Sequence, residues 1–320
     1  MAIRLTDISA FASEFLHARQ WPNRPEQLAF EITAACDAAC IHCPREDMDR
    51  PMKAMPMPLF RKLIDQAAEM KVPYLCPNGY GEICTIPLPV LTEYLDYISA
   101  AKHRFKLVIN TNGYRMNEER AALFLRHAHV VNITIDGATA ATAESIRKKL
   151  KFDVVEENVK RLIAIRRESG ASRPKVRVGM VSMPQTQPEI PEFRRRWTGV
   201  ADLIGFGAFS TRLNSVIETW SDGAGDTTSL NRNAGGACVL PFRDLNIWAD
   251  GIAVTCCEDW NEQTPVGDLN TMSLSEIWHG PGLSKVRAAH AAGKGGDIPL
   301  CASCNSWRIP TAGARLWTRP

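Results

Sequence analysis

Six short apolar segments alternate with longer amphipathic segments along the chain, and this alternation restricts the possible folds more than any other feature. The short segments are bounded by turn residues, which predicts strands at 28–33, 72–78, 105–111, 130–135, 175–182 and 201–209. The segments between them repeat apolar residues at helical spacing. Strands and helices that alternate in this way form βαβ units with a parallel sheet. We therefore predict an α/β fold, either an open doubly wound sheet or a partial (β/α)6 TIM-like barrel.

The composition is that of an ordinary globular protein. Of the 320 residues, 45% are hydrophobic and 23% are charged, and the net charge is only +3. The basic residues are scattered, which argues against nucleic acid as a partner. No apolar stretch approaches the roughly 18–20 residues of a membrane span, and the N-terminal segment lacks the apolar region of a signal peptide. We predict a soluble, cytoplasmic protein without a membrane or nucleic-acid partner.

The ten cysteines of the chain lie in clusters. Cys36, Cys40 and Cys43 form a CxxxCxxC motif directly after the first predicted strand. Disulfide frameworks are typical of small exported chains, so clustered thiols in this chain indicate metal ligands. Three thiolates on one loop can bind three irons of a [4Fe–4S] cluster and leave the fourth iron open, as a catalytic site requires. The alternative is a zinc or structural cluster site that is completed by a distant ligand.

With His42 before its third cysteine, the motif resembles the signature of the radical S-adenosylmethionine (SAM) superfamily. The resemblance implies a partial (β/α)6 barrel with its site at the carboxyl ends of the strands. It also implies that SAM binds the open iron and is cleaved reductively, giving a 5′-deoxyadenosyl radical that abstracts a hydrogen atom from the substrate. An electron donor such as flavodoxin or ferredoxin would be a partner.

Motifs at the ends of the next strands follow the order of the same superfamily. The second strand leads into Asn-Gly-Tyr-Gly-Glu at 78–82, the third ends in Thr-Asn-Gly at 111–113, and the fourth ends in Thr-Ile-Asp-Gly at 134–137. Beside His42, the resemblance implies SAM-binding roles for Gly81, Glu82, Asn112, Thr134, Asp136, Arg147 and Arg177. Taken singly, the motifs also fit ordinary turns, and Arg147 also fits a solvated helix face.

A second constellation lies near the end of the chain and consists of Cys238, Cys256, Cys301 and Cys304. Four thiolates suit a fully ligated [4Fe–4S] cluster, and a four-thiolate zinc site is the alternative. The segment resembles the SPASM module in its shortened "twitch" form with one auxiliary [4Fe–4S] cluster. We predict an N-terminal helical lead-in at 1–27, a radical SAM core at 28–212, a linker at 213–237 and a small α+β auxiliary-cluster module at 238–320.

The complete ligation of the second site favours electron transfer over substrate binding. The module layout resembles that of the superfamily's 2-deoxy-scyllo-inosamine dehydrogenases, which implies oxidation of a hydroxylated small molecule such as a sugar or an aminocyclitol. Modification of a ribosomal precursor peptide is the second hypothesis, and a non-enzymatic iron–sulfur electron carrier is the third. Of the other cysteines, Cys76 is predicted to be a packed residue. Cys257 is also predicted to be packed, and a thiol hydrogen donor or an alternative cluster ligand is the other interpretation. Cys84 is predicted near the barrel mouth, where a functional thiol is the alternative.

Overall fold

The computed structural model describes residues 21–208 and 237–304. The predicted lead-in at 1–27 lies outside these ranges except for its last residues, and so does the predicted linker at 213–237 except for its final residue. The segment that follows Cys304 is also outside them.

All six predicted strands are present and they pair in parallel. The strands of the first described range are β1 (Gln27–Phe30), β2 (Ala39–Cys40), β3 (Tyr74–Cys76), β4 (Lys106–Thr111), β5 (Val130–Thr134), β6 (Arg147–Lys148), β7 (Lys175–Ser182) and β8 (Leu203–Ala208). Strands β1, β3, β4, β5, β7 and β8 pair in that order, which confirms the partial (β/α)6 arrangement. The short strands β2 and β6 form a separate antiparallel ladder that the sequence pattern does not predict.

Amphipathic helices connect these strands. They are α1 (Met57–Glu69), α2 (Leu88–Ala100), α3 (Glu118–His127), α4 (Ala140–Ile146), α5 (Phe152–Glu168) and α6 (Ile190–Trp197). Helix α3 shows why such a segment folds locally, because the Asn117 side chain accepts a hydrogen bond from the first turn. Two glutamates follow in the first turn and two basic residues lie in the last, so the charges complement the helix dipole.

The C-terminal segment extends the same sheet. Its strands are β9 (Asp244–Ile247), β10 (Ile252–Val254) and β11 (Pro265–Asp268), and β9 pairs in parallel with β1. The resulting nine-stranded order is β11-β10-β9-β1-β3-β4-β5-β7-β8. The predicted hairpin of β9 and β10 turns at Gly251, whose φ of +96° favours glycine. Strand β11 is an additional strand, and helices α7 (Leu240–Arg243), α8 (Leu274–His279), α9 (Pro281–Ala291) and α10 (Pro299–Ala302) complete the module.

One apolar core spans both parts of the chain. Leu28 and Phe30 of β1 are fully buried in the same cluster as Leu245 of β9 and Trp278 of α8. Because the C-terminal strands share this core, the first strand is an interior strand of the sheet and not its edge. Among the residues described, no helix combines the length and the apolar character that crossing a membrane requires.

Candidate functional site

The loop that follows β1 carries the three predicted ligands Cys36, Cys40 and Cys43, each half-buried. Cys40 belongs to β2 and pairs with Arg147 of β6. The backbone amide of Cys43 donates to the carbonyl of Cys40 over 3.0 Å, and the amide of Ala38 lies 3.4 Å from the Sγ of Cys36. The three thiols are therefore held on one short, internally hydrogen-bonded loop.

Burial disfavours the thiolate forms of two of these cysteines. Burial raises the pKa of Cys36 to about 11 and also raises the pKa of Cys40, which Arg147 opposes. Without a metal both thiols would be protonated at neutral pH, whereas bound iron would favour the thiolates. Within the described ranges, no three His, Cys, Asp or Glu side chains converge closely enough to hold a single metal ion. A [4Fe–4S] cluster makes no such demand, because each thiolate binds a different iron.

Asp136 connects the end of β5 to the cysteine loop. It is fully buried and adopts a φ of +59°, and its Oδ2 accepts from the Nε of Arg147 over 2.7 Å. Its other oxygen accepts from the amide of Val181, and the Nε2 of His42 lies 3.8 Å from Oδ2. Burial lowers the pKa of Arg147, but the attraction of Asp136 outweighs it and the net pKa is raised. Arg147 also lies 3.8 Å from the Sγ of Cys40, so it is part of the site and not of a solvated helix face.

Gly81 and Glu82 lie against the start of the cysteine loop. A Cβ atom at Gly81 would be 2.0 Å from the carbonyl oxygen of Thr33, so only glycine fits this close backbone approach. Glu82 is buried, and its carboxylate accepts from the Thr111 hydroxyl over 2.6 Å and from the amide of Asn112 over 2.7 Å. Burial raises the pKa of Glu82. In this structure Glu82 joins the ends of β3 and β4, and its contact with SAM stays a prediction.

The remaining residues that are predicted to bind SAM lie at different depths in the barrel. The Asn112 side chain donates to Asp37 of the cysteine loop over 2.8 Å, so it is directly beside the first site. Thr134 ends β5, is half-buried, and pairs in register with Gly179. Arg177 lies two residues before Gly179 on β7, so it is about 6.6 Å deeper in the barrel than the layer of Thr134.

The four C-terminal cysteines come from three places in the module. Cys238 precedes α7, Cys256 follows β10, and Cys301 and Cys304 lie in and after α10. Burial raises the pKa of Cys238, and the nearby Cys301 and Cys304 raise it further. Burial also raises the pKa of Cys256, and the nearby Cys257 and Cys238 raise it further. Cys238 therefore lies near each of the other three predicted ligands, and their binding of a common cluster stays a prediction.

His290 of α9 belongs to this second site, although the sequence pattern does not single it out. Its Nδ1 accepts from the backbone amide of Cys238 over 3.3 Å, and its Nε2 lies 3.4 Å from the Sγ of Cys301. Burial lowers the pKa of His290 to about 4, so the ring is neutral at pH 7. Because Nδ1 accepts, the single ring proton is on Nε2 and points at the sulfur.

Tyr80 connects the two sites. Its hydroxyl donates to the backbone carbonyl of Cys257 over 2.5 Å, and its amide donates to the buried carboxylate of Glu31 over 2.8 Å. Glu31 also accepts a two-pronged bond from Arg50, whose guanidinium lies 5.0 Å from the centre of the Trp248 ring. We call this set, Glu31, Arg50, Tyr80 and Trp248, the Tyr80 bridge. The sequence pattern gave no sign of it, because its members are distant along the chain.

Cys76 and Cys84 are packed thiols, and Cys257 lies beside a predicted ligand. Cys76 is buried, as predicted, and its Sγ accepts from the Asn110 side chain over 3.2 Å. Cys84 is fully buried with its Sγ 3.6 Å from the Thr111 hydroxyl, so it is a packed thiol and is not exposed at the barrel mouth. Cys257 is half-buried beside Cys256 and contributes its carbonyl to the Tyr80 bridge.

Two curated proteins resemble this chain over part of its length. The mycofactocin maturase MftC of Mycolicibacterium smegmatis is 29% identical over 208 residues, which are 62% of this chain and 48% of that protein. The S-adenosyl-L-methionine-dependent 2-deoxy-scyllo-inosamine dehydrogenase of Niallia circulans is 27% identical over 75 residues, which are 23% of this chain and 30% of that protein. The chain therefore spans about half the length, or less, of these curated relatives.

Solved structures show the same fold. BtrN in complex with AdoMet and 2-DOIA superimposes with a TM-score of 0.57 at 17% identity, covering 88% of this chain and 93% of that chain. Streptococcus suis SuiB bound to its precursor peptide SuiA superimposes with a TM-score of 0.65 at 14% identity, covering 88% and 70%.

The family is shown by two sequence profiles. The profile of the radical SAM superfamily matches residues 30–196, a little over half of the chain, and the SPASM iron–sulfur cluster-binding domain matches residues 238–305. These domains imply SAM and iron–sulfur clusters as cofactors. The chain is thus a member of the radical SAM superfamily, an enzyme with a C-terminal SPASM domain.

Proposed function

We propose that this enzyme oxidises a hydroxyl group of a small molecule, of the sugar or aminocyclitol type, to a carbonyl group. One observation carries the proposal: a site of four thiols is connected to the SAM-side loop through the hydrogen bond from Tyr80 to the carbonyl of Cys257. Complete thiolate ligation leaves no position for substrate on that second site, so electron transfer is the function that it suits.

The reaction balances as the loss of one hydrogen atom, one proton and one electron from the substrate. The hydrogen atom leaves the carbon that bears the hydroxyl, the proton leaves the hydroxyl oxygen, and the electron leaves the resulting radical, which becomes the carbonyl product. Bound at the two sets of cysteines, iron–sulfur clusters would supply the electron that cleaves SAM and accept the electron that the substrate loses.

The chain's own residues orient this chemistry. Cys36, Cys40 and Cys43 would hold the first cluster, and Cys238, Cys256, Cys301 and Cys304 the second. His42, Gly81, Glu82, Asn112, Thr134, Asp136 and Arg147 would shape the SAM pocket at the carboxyl ends of the strands. The structural role of the pair Asp136 and Arg147 supports this, because the pair fixes the position of β2 beside the strand end. We also propose a cytoplasmic location and a flavodoxin or ferredoxin as electron donor.

Modification of a precursor peptide is the second candidate function. It is favoured by the match to MftC, a maturase, and by the shared fold with SuiB, which was solved with its precursor peptide. The small-molecule function is favoured by the match to BtrN, which was solved with 2-DOIA. That superposition covers 88% of this chain and 93% of the BtrN chain.

The proposed function is tested with protein that has been reconstituted anaerobically with iron and sulfide. We expect about eight irons per chain and, with SAM and a strong reductant, formation of 5′-deoxyadenosine. Polyols and aminocyclitols that carry deuterium on the carbinol carbons would then be screened for transfer of deuterium into 5′-deoxyadenosine and for a carbonyl product. Transfer only from a peptide would overturn the small-molecule function, and zinc in the C-terminal site would overturn the oxidation.

Single substitutions distinguish the role of the first cysteine site from that of the second. Cys36→Ala is expected to abolish 5′-deoxyadenosine formation. Cys304→Ala is expected to reduce the iron to about four per chain and to remove the carbonyl product while SAM cleavage continues. Cys257→Ala is the matched control, because it removes a neighbouring thiol while its backbone carbonyl stays available to Tyr80.

A further inference from the structure

The interior face of the sheet, opposite the helix-packed core, carries a row of polar side chains below the layer of Thr134. Asn110 of β4, Asn132 of β5 and Arg177 of β7 are neighbours in register on three adjacent strands. Their flanking residues, such as Ile133 and Val178, point the other way into the core. Buried strands of this kind are normally apolar on both faces, so the polar row requires an explanation.

The orientation of the Asn132 amide follows from its neighbours. The side-chain nitrogen of Asn110 donates to the Sγ of Cys76, so the side-chain oxygen of Asn110 is free to accept. Asn132 donates its side-chain nitrogen to that oxygen over 2.7 Å. The Oδ1 of Asn132 is then left buried and without a hydrogen-bond partner among the described residues, although Asn132 is only 5% exposed. An unsatisfied buried acceptor of this kind destabilises the folded protein unless a ligand donates to it.

Arg177 is a hydrogen-bond donor without an acceptor among the described residues. Within 21–208 and 237–304 its guanidinium makes no hydrogen bond and no ion pair, and burial lowers its pKa without an acidic group to oppose the effect. The other cation of this strand face, Lys175, already lies 3.8 Å from Asp202. A half-buried arginine without an acid is unusual, because burying a charge is costly unless it is paired.

Glycines leave space above Arg177. The guanidinium lies over Gly205, where a Cβ atom would be 1.8 Å from its Nη2. Toward the carboxyl end of the strands, Gly179 pairs with Gly205, and Gly207 would meet nothing within 4 Å if it carried a Cβ. Gly205 therefore makes room for the guanidinium itself, whereas Gly179 and Gly207 place no side chain between Arg177 and the carboxyl ends of β7 and β8.

We propose that Arg177 and Asn132 form a subsite for a hydroxy-carboxylate group of the substrate. Arg177 would bind the carboxylate with its planar fork, and the Oδ1 of Asn132 would accept from the adjacent hydroxyl. A carboxylate balances the single unpaired cation, whereas a phosphate dianion would leave one charge uncompensated. The inference rests on the proposed function and narrows its substrate class to an acidic sugar, because an aminocyclitol carries no carboxylate. It competes with the contact between Arg177 and the SAM carboxylate that the sequence predicts.

Binding of a minimal fragment tests the subsite without turnover. Glycolate and ethylene glycol, which differ in the carboxylate, would be titrated calorimetrically into the reconstituted, SAM-loaded enzyme. We expect glycolate to bind at least tenfold more tightly than ethylene glycol, and both Arg177→Gln and Asn132→Leu to weaken glycolate at least tenfold. Lys175→Gln is the matched control, because it removes a charge from the same strand, and it should leave glycolate binding unchanged.

Three results would overturn the inference: no glycolate binding to the wild type, equal binding to Arg177→Gln, or a tenfold loss of SAM affinity in Arg177→Gln with glycolate competing against SAM. The last would assign the arginine to SAM. Failure of the subsite is distinguishable from failure of the proposed function, because oxidation of a neutral polyol would persist in the first case. In the second case glycolate would bind although no alcohol is oxidised.

Discussion

At the scale of single residues, His290 is the side chain of the second site that bears most directly on electron transfer. Its neutral ring is held by the amide of Cys238 so that the Nε2 proton is directed to the Sγ of Cys301. Hydrogen bonds to ligand sulfurs are among the factors that set the reduction potential of an iron–sulfur cluster, because they favour its more negative, reduced state. This residue would therefore adjust how readily the second site accepts an electron.

We predict that His290→Phe makes the midpoint potential of the C-terminal cluster more negative. A hydrogen bond of net strength about 1 kcal/mol corresponds to about 40 mV for transfer of one electron. The measurement is a redox titration followed by electron paramagnetic resonance. His279→Phe, which changes a histidine of α8 that contacts the carbonyl of Asn23, is the control. An unchanged potential in a variant that retains its full iron content would contradict the role of His290.

At the scale of elements, the antiparallel pairing of β2 with β6 positions the cysteine loop. Only two residue pairs form it, Ala39 with Lys148 and Cys40 with Arg147. Such a ladder is too short to be stable alone, so its position depends on the bond between Arg147 and the fully buried Asp136.

We predict that Arg147→Ala lowers the free energy of unfolding by about 3–5 kcal/mol, because it leaves a buried carboxylate without its partner. Iron incorporation at the first site should fall with it, since β2 loses its support. Chemical denaturation and iron analysis after reconstitution measure the two effects. Lys148→Ala, at the exposed neighbouring position, should stay within about 0.5 kcal/mol of the wild type. A similarly small change in Arg147→Ala would show that the ladder does not depend on this pair.

The sequence predicts those elements that have a local signature. All six parallel strands and the helices between them follow from periodicity, and the cysteines are recognised by spacing. The ladder of β2 and β6 has too few residues to show a period, and β11, with its Pro265 and Gly267, does not read as a strand. The sequence points to Asp136 and Arg147 but not to the bond between them. It does not point to His290 or Arg50, because only the tertiary fold brings their partners close.

At the scale of the whole molecule, the two sequence domains are one structural unit. Strand β9 lies against β1, the core is continuous, and the Tyr80 bridge adds buried polar contacts between the parts. A domain that shares a sheet and a core with its neighbour has no independent folding equilibrium.

We therefore predict that the two parts unfold together. In hydrogen-exchange mass spectrometry under mild denaturant, peptides from β1, β5 and β9 should become exposed at the same denaturant concentration, because no boundary of weak contacts separates them. Tyr80→Phe should shift all three equally, by about 1 kcal/mol, since it removes one buried hydrogen bond. Exposure of β9 at a lower concentration than β5 would show that the C-terminal part opens by itself.

The parallel pairing of β1 with β9 also has a consequence for how a cell makes this protein. Strand β1 is synthesised long before β9, and one of its edges has no partner until Asp244–Ile247 have been made. Until then a nascent chain exposes Leu28 and Phe30 on an open strand, which is a recognised aggregation hazard. We expect chaperones to shield this strand until β9 has been synthesised, and iron–sulfur assembly at the adjacent cysteine loop to follow the pairing of β1 with β9.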